Sequence, residues 1–302
     1  MKAKWAFLTL VFTIFTVLTG CEPLLVLDPK GPQAETTSNV IWISIISMSF
    51  IVITVLVLLV IILSKYRASK QPADYEPPHI EGHPVVEGTI IGIPILIVIF
   101  LSVVSVISSY QVESTPAGYE DEEPLVIYAS SSNWKWHFSY PEQDIETVNY
   151  VFFPANRSIQ FKLYSYGPIT SFWIPQLAGQ KYAMGDMVTK INLAADAPGE
   201  FMGRNANFSG EGFAENTFNA TALSQEDFDK WVEDIKKTED PITEEKFNEL
   251  LQPGHLGQLS FTGTHLDFSP APEGEHAGHQ HGDSSDKNHS EHEQNNKDKS
   301  SK

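Results

Sequence analysis

The stretch Trp134-Lys135-Trp136-His137-Phe138-Ser139-Tyr140-Pro141 places an aromatic ring at every second position and stops at a proline. Successive side chains of a strand point to opposite faces, so this spacing predicts a β-strand with one aromatic face. Around it lie Leu125 to Tyr128, Val148 to Phe153, Ser158 to Tyr164, Val188 to Leu193 and Phe218 to Leu223, short runs separated by Pro and Gly. Several strands at such spacing predict a β-sandwich or barrel, here over residues 119–223, a normal size for that architecture.

Upstream the chain turns apolar. Thr36 to Ser64 and Gly88 to Val112 carry no charged residue, and each exceeds the roughly 20 residues that a bilayer core requires. They predict transmembrane helices over 39–64 and 88–112, joined by a loop over 65–87. Lys65, Arg67 and Lys70 follow the first span, which places the loop in the cytoplasm by the positive-inside rule. The segment 21–38 and everything after Val112 then lie outside the cell. Residues 1–20 open with Lys2 and Lys4, run apolar from Trp5 to Leu18, and read as a secretory signal peptide. It ends Leu18-Thr19-Gly20-Cys21, similar to a bacterial lipobox, so Cys21 is the expected lipidated N-terminus of a multi-pass plasma-membrane lipoprotein.

Downstream, Ser224-Gln225-Glu226-Asp227 resembles a capping box. Phe228, Trp231, Val232 and Ile235 follow at helical spacing, and a second short helix after Thr243 carries Phe247, Leu250 and Leu251. Two amphipathic helices are therefore expected over 224–252, either packed on the β-domain or facing a partner. Residues 269–302 have almost no apolar side chains and predict a disordered acidic tail. It holds His276, His279, His281, His289 and His292, a cluster open to weak metal capture or simply solvated.

Of 302 residues, 42% are hydrophobic, yet the formal net charge is -18. Removing Lys2 and Lys4 leaves 18 basic against 38 acidic residues, or -20. An acidic surface repels phosphate backbones, which disfavours nucleic acid as a partner. Cys21 is the one cysteine, so neither an internal disulfide nor a site with several thiolates can form within the chain.

The order of these parts resembles subunit II of haem–copper terminal oxidases. Val86-Glu87 through Pro94-Ile95-Leu96 looks like that family's acid-then-proline opening of the second helix. Trp134 to Pro141 looks like its aromatic strand, Ser171-Phe172-Trp173-Ile174-Pro175 like the loop behind its first copper-site histidine, and Gly203 through Asn216 like the loop with the remaining ligands. The likeness covers residues 21 to about 223. It implies membrane α plus β architecture: a two-helix transmembrane hairpin followed by an extracellular cupredoxin-like β-sandwich or barrel. In the family's cytochrome c oxidases that domain holds two coppers on the loop Cys-x-Glu-x-Cys-x-x-x-His-x-x-Met plus one earlier histidine, soft thiolates spreading charge over both metals. Here the matching positions read Asn205, Asn207, Ser209, Phe213 and Asn216, with Thr170 for the earlier histidine. Within residues 119–250 the one histidine is His137.

The resemblance therefore implies a quinol oxidase subunit II that lacks the copper site, similar to the Gram-positive menaquinol type. It supports a haem-bearing subunit I and further subunits, and does not catalyse by itself. No metal or cofactor is expected in this chain, the haems and one copper being carried by subunit I. Membrane lipid and, through the complex, menaquinol are expected partners; cytochrome c is not. The family's match to Glu87 sits at the cytoplasmic mouth of a proton channel; taken alone, an acid there simply complements a helix dipole. Trp134, Trp136, Phe172 and Trp173, electron-transfer candidates in copper-bearing relatives, read here as core or interface aromatics. Competing readings are a metal-binding membrane lipoprotein using the histidine tail and a generic membrane scaffold.

Overall fold

The computed structural model describes residues 24–67 and 82–272. The signal peptide, Cys21, Lys70 and the tail histidines lie outside the described residues. Two long helices, α1 (Pro32–Lys65) and α2 (Pro84–Glu113), run side by side, their apolar windows unburied by the rest of the chain. Both outrun the spans expected from charge alone. α1 starts seven residues early because Gly31 is extended and Pro32, with its fixed φ and missing N–H, suits the first helical position. α2 likewise starts at Pro84, so Glu87 sits in its first turn instead of ahead of it.

Eleven strands follow in two sheets. The first sheet is ordered β11 (Leu259–Thr262), β3 (Ile145–Val148), β2 (Lys135–Tyr140), β1 (Leu125–Ser132), β5 (Ile159–Ser165), β8 (Thr189–Leu193). The second runs β4 (Tyr150–Pro154), β10 (Thr217–Leu223), β9 (Gly199–Asn205), β6 (Thr170–Trp173), β7 (Gln180–Ala183). β1 with β5 and β4 with β10 are parallel; the other ladders are antiparallel. The expected strand Val148 to Phe153 is really two. Asn149, at φ 60, turns the chain between them from one sheet to the other, and its side chain accepts the Trp136 N–H at 3.0 Å.

Trp136, Phe138 and Tyr140 point between the sheets and are fully buried. Trp136 meets Phe172 edge-on at 5.3 Å, and Phe172 stacks on Phe218 at 5.1 Å. Trp134 does not share that face. It stands in the β1–β2 turn at φ 67, half-buried, because the chain must reverse there.

The β-domain does not end at residue 223. Helices α3 (Gln225–Thr238) and α4 (Glu244–Leu250), capped by Ser224 and Thr243, fold back on it, with Phe228, Val232 and Ile235 joining the core. β11 then extends the first sheet, and a single helical turn at His265–Asp267 closes over it. Lys135, His137 and Ser139, on the face of β2 that alternation alone would leave to solvent, are buried as a result. Lys135 donates to the carbonyls of Gln252 at 2.6 Å and Gly254 at 2.8 Å, a cation set at the end of α4 where the helix dipole favours it.

Helices and sandwich are fastened at one edge. The Lys30 N–H donates to the Gln176 carbonyl at 2.7 Å and Ala34 N–H to that of Leu177, while the Lys30 carbonyl accepts from Asp196. Glu113, ending α2, pairs with Lys181 at 2.6 Å. A Cβ at Gly31 would fall 2.0 Å from the Ala194 carbonyl oxygen, backbone that cannot swing aside. Gly31→Ala is therefore expected to cost ~1–3 kcal/mol, the range for overpacking. Gly88→Ala, with nothing within 4 Å, should leave thermal unfolding of the purified protein unchanged.

Candidate functional site

The six positions singled out by resemblance fall at the end of the sandwich away from the helix attachments, where β6 begins and the β9–β10 loop turns. Four are turned inward and two outward. Thr170 and Ser131 share a hydrogen bond of 2.6 Å between hydroxyls. Asn205, fully buried, is the centre: its Oδ1 accepts from the backbone N–H of Ser171 at 2.8 Å and of Asn207 at 2.9 Å. Its Nδ2 donates to Ser209 Oγ at 2.9 Å, and its own N–H donates to the Asn216 carbonyl. Asn216 is buried, both side-chain atoms without a protein hydrogen-bond partner. Asn207 instead reaches outward to the Ile169 carbonyl, and Phe213 packs at 5.7 Å on Phe208, which is 78% exposed.

The loop is wound over Trp134. The indole N–H donates to the Ser209 carbonyl at 3.0 Å, Gly210 takes φ 102, and a Cβ on Gly212 would lie 2.4 Å from the ring. This explains the glycines: backbone must pass directly across the indole. The groups collected here are amides and hydroxyls, hard and, Asn216 apart, already engaged in hydrogen bonds. Among the described residues no group of three or more His, Cys, Asp or Glu is disposed to hold a metal ion.

Glu87 carries its carboxylate back over Gly82 in the first turn of α2 and is exposed. Trp136 and Phe172 are buried core, and Trp173 is half-buried in β6.

A second polar group, unmarked in the sequence, lies on the other face of the first sheet. Glu146 Oε2 accepts from the His265 backbone N–H at 2.8 Å and lies 2.7 Å from its Nδ1 and 3.1 Å from Ser139 Oγ. His265 Nε2 meets the Tyr164 hydroxyl at 2.7 Å, and its ring stacks on Phe247 at 4.3 Å. His137 Nε2 bonds Ser132 Oγ at 2.8 Å. All of these are buried, so the chain fastens residues 255–269 to the sheet. Burial, with Tyr166 and Glu146 adding to it, pushes the Tyr164 phenol well above its ordinary range. The one available signal was the alternation of Lys135, His137 and Ser139 with the aromatics, and that reads as a solvent face until α4 and β11 are placed.

Two apolar spans carrying a two-sheet domain of this order define a membrane-anchored protein with a cupredoxin-like head. The chain is 49% identical over 265 residues to quinol oxidase subunit 2 of Bacillus subtilis (strain 168), covering 87% of this chain and 81% of that one. It is 41% identical over 269 residues to quinol oxidase subunit 2 of Bacillus anthracis, covering 88% and 92%. With a probable quinol oxidase subunit 2 of Staphylococcus saprophyticus it shares 39% over 276 residues, covering 91% and 72%. The chain belongs to the quinol oxidase subunit 2 family, and so to an oxidoreductase complex with other oxidase subunits. No protein-family model matches it. Among solved structures, the periplasmic domain of cytochrome oxidase subunit II from Bradyrhizobium japonicum aligns at 21% identity and TM-score 0.37, over 38% of this chain and 96% of that one.

Burial, with His265 and Lys135 nearby, holds the His137 imidazole well below its ordinary range. The unfolded chain takes up a proton near pH 6.5 that the folded one refuses, so stability falls as pH drops below about 6.5, by up to ~1.4 kcal/mol per unit. His137→Phe should flatten that slope in thermal unfolding followed from about pH 7 to 5. Asn205→Ala strands three buried or half-buried partners, the N–H groups of Ser171 and Asn207 and the Ser209 hydroxyl, and should cost ~1–3 kcal/mol or more by the same measurement.

Proposed function

We propose that this chain is the copper-free subunit II of a proton-pumping menaquinol oxidase, supporting subunit I without catalysing electron transfer itself. The observation that carries the reading is the interior of this end of the sandwich, where Thr170 of β6 and Asn205, Ser209 and Asn216 between β9 and β10 stand in place of the family's metal ligands. A two-copper centre needs bridging thiolates, and the sole cysteine, Cys21, stands before both membrane spans. Electrons from a soluble haem protein would find no metal relay here. The quinol oxidase relatives support the alternative donor, a membrane quinol oxidised at subunit I, which holds the haems and the remaining copper.

The β-domain stands outside the cell, Cys21 carries the lipid, and the Glu87 carboxylate marks the cytoplasmic mouth of a proton channel formed with subunit I. Its place in the first turn of α2 and its exposure in the isolated chain suit a residue that a second subunit covers.

The purified complex should oxidise a menaquinol analogue and leave reduced cytochrome c untouched; cytochrome c turnover without added quinol would overturn the reading. Glu87→Gln should slow proton-coupled turnover severalfold with haem content and subunit stoichiometry unchanged. An unaltered rate would remove Glu87 from the proton path.

A further inference from the structure

Residues 252–269 cross the polar face of the first sheet as a strap, and among them only Thr264 and His265 are buried. Polar ties hold the segment, with little apolar packing. Lys135 Nζ binds the carbonyls of Gln252 and Gly254, and Asn149 Nδ2 donates to that of Leu256 at 2.8 Å. β11 pairs with β3, and the Tyr166 hydroxyl meets Ser269 Oγ at 3.0 Å. A segment attached in this way opens at lower cost than the core beneath it, because few buried apolar contacts are lost.

The one deep anchor, His265, closes a chamber around His137. The His137 ring is fully buried, its centre 5.5 Å from that of Phe247 and 6.5 Å from that of His265. Nε2 is bonded to Ser132 of β1. Nδ1 has no protein hydrogen-bond partner, and neither has Glu146 Oε1 on β3, 4.0 Å away. Buried polar atoms left unmatched favour any state that brings water to them. Lys135 on the same strand and Tyr164 of β5, beyond His265, are the other titratable groups facing this chamber. β11 has no titratable side chain, and α4 turns Phe247 inward and its charged side chains to the surface. Closed, the chamber refuses a proton on His137, through burial first and then the nearby His265 and Lys135. Opened to water, the ring takes one at about pH 6.5.

We propose that residues 252–269 form an acid-released strap: proton uptake by His137 lifts His265 from the sheet and leaves β3 an open edge while the rest of the sandwich stays folded. The open form binds the proton that the closed form excludes, so the opening constant rises as pH falls, up to about tenfold per unit below about pH 6.5. The device is independent of which electron donor the complex uses.

Hydrogen–deuterium exchange of the purified complex tests this, read by mass spectrometry and corrected for the intrinsic pH dependence of exchange. Between about pH 7 and 5, peptides over 255–269 should lose protection by up to about tenfold per unit, while peptides over β5 and β10 keep theirs. His137→Gln keeps a partner for Ser132 but has no titrating ring, and should hold the strap's protection constant across that range. Tyr164→Phe removes one tie to His265 and should speed strap exchange about fivefold at every pH with the slope retained. Strap protection that does not change with pH, or a loss that strikes strap and core together, would overturn the proposal. A slope that survives in His137→Gln would assign the proton to another group and overturn it equally. Should His137→Gln fail to assemble, Tyr164→Phe decides: a strap released through His137 keeps its slope there, and a lost slope contradicts it.

Discussion

Asn205 holds the far end of the sandwich together. One buried amide side chain ties the start of β6 through Ser171, its own loop through Asn207 and Ser209, and its backbone ties the loop's return at Asn216. Buried amides must find partners, because each unmet hydrogen bond costs ~1–3 kcal/mol. A loop that a metal could organise is here organised by hydrogen bonds among hard neutral groups. It is wound over Trp134 through Gly210 and Gly212 and held there by the indole's bond to the Ser209 carbonyl.

The same logic runs through the rest of the domain. β2 is buried on both faces, aromatic rings on one side and Lys135, His137 and Ser139 on the other. The polar face is tolerable because the C-terminal segment brings partners to it: carbonyls of Gln252 and Gly254 for Lys135, His265 and Glu146 around Ser139. The residues after 223 are therefore a structural wall of the head. At the opposite edge, backbone bonds from Lys30 and Ala34 and the Glu113–Lys181 pair fix the head on its two helices.

Much of this was legible. Charge-free runs located both spans, and the period-two rings of Trp136, Phe138 and Tyr140 located the central strand. What sequence missed has physical causes. β6 and β7 have four residues each, too few to show a period, and β9, though longer, is broken as a pattern by Gly199 and Gly203. Trp134 matched the period but sits in a turn at positive φ. β11 pairs with β3 more than a hundred residues away, so nothing local announced that the polar side of β2 is covered. The six site positions came from resemblance; that four of them point inward and Asn207 and Phe213 do not depends on loop backbone, which no residue pattern encodes.

Copper stoichiometry of the intact complex, with its low-temperature electron paramagnetic resonance spectrum, tests the central claim most directly. The account predicts one copper per complex and no mixed-valence dicopper signal in any redox state. Three coppers per complex, with the hyperfine pattern of an electron shared between two of them, would contradict it.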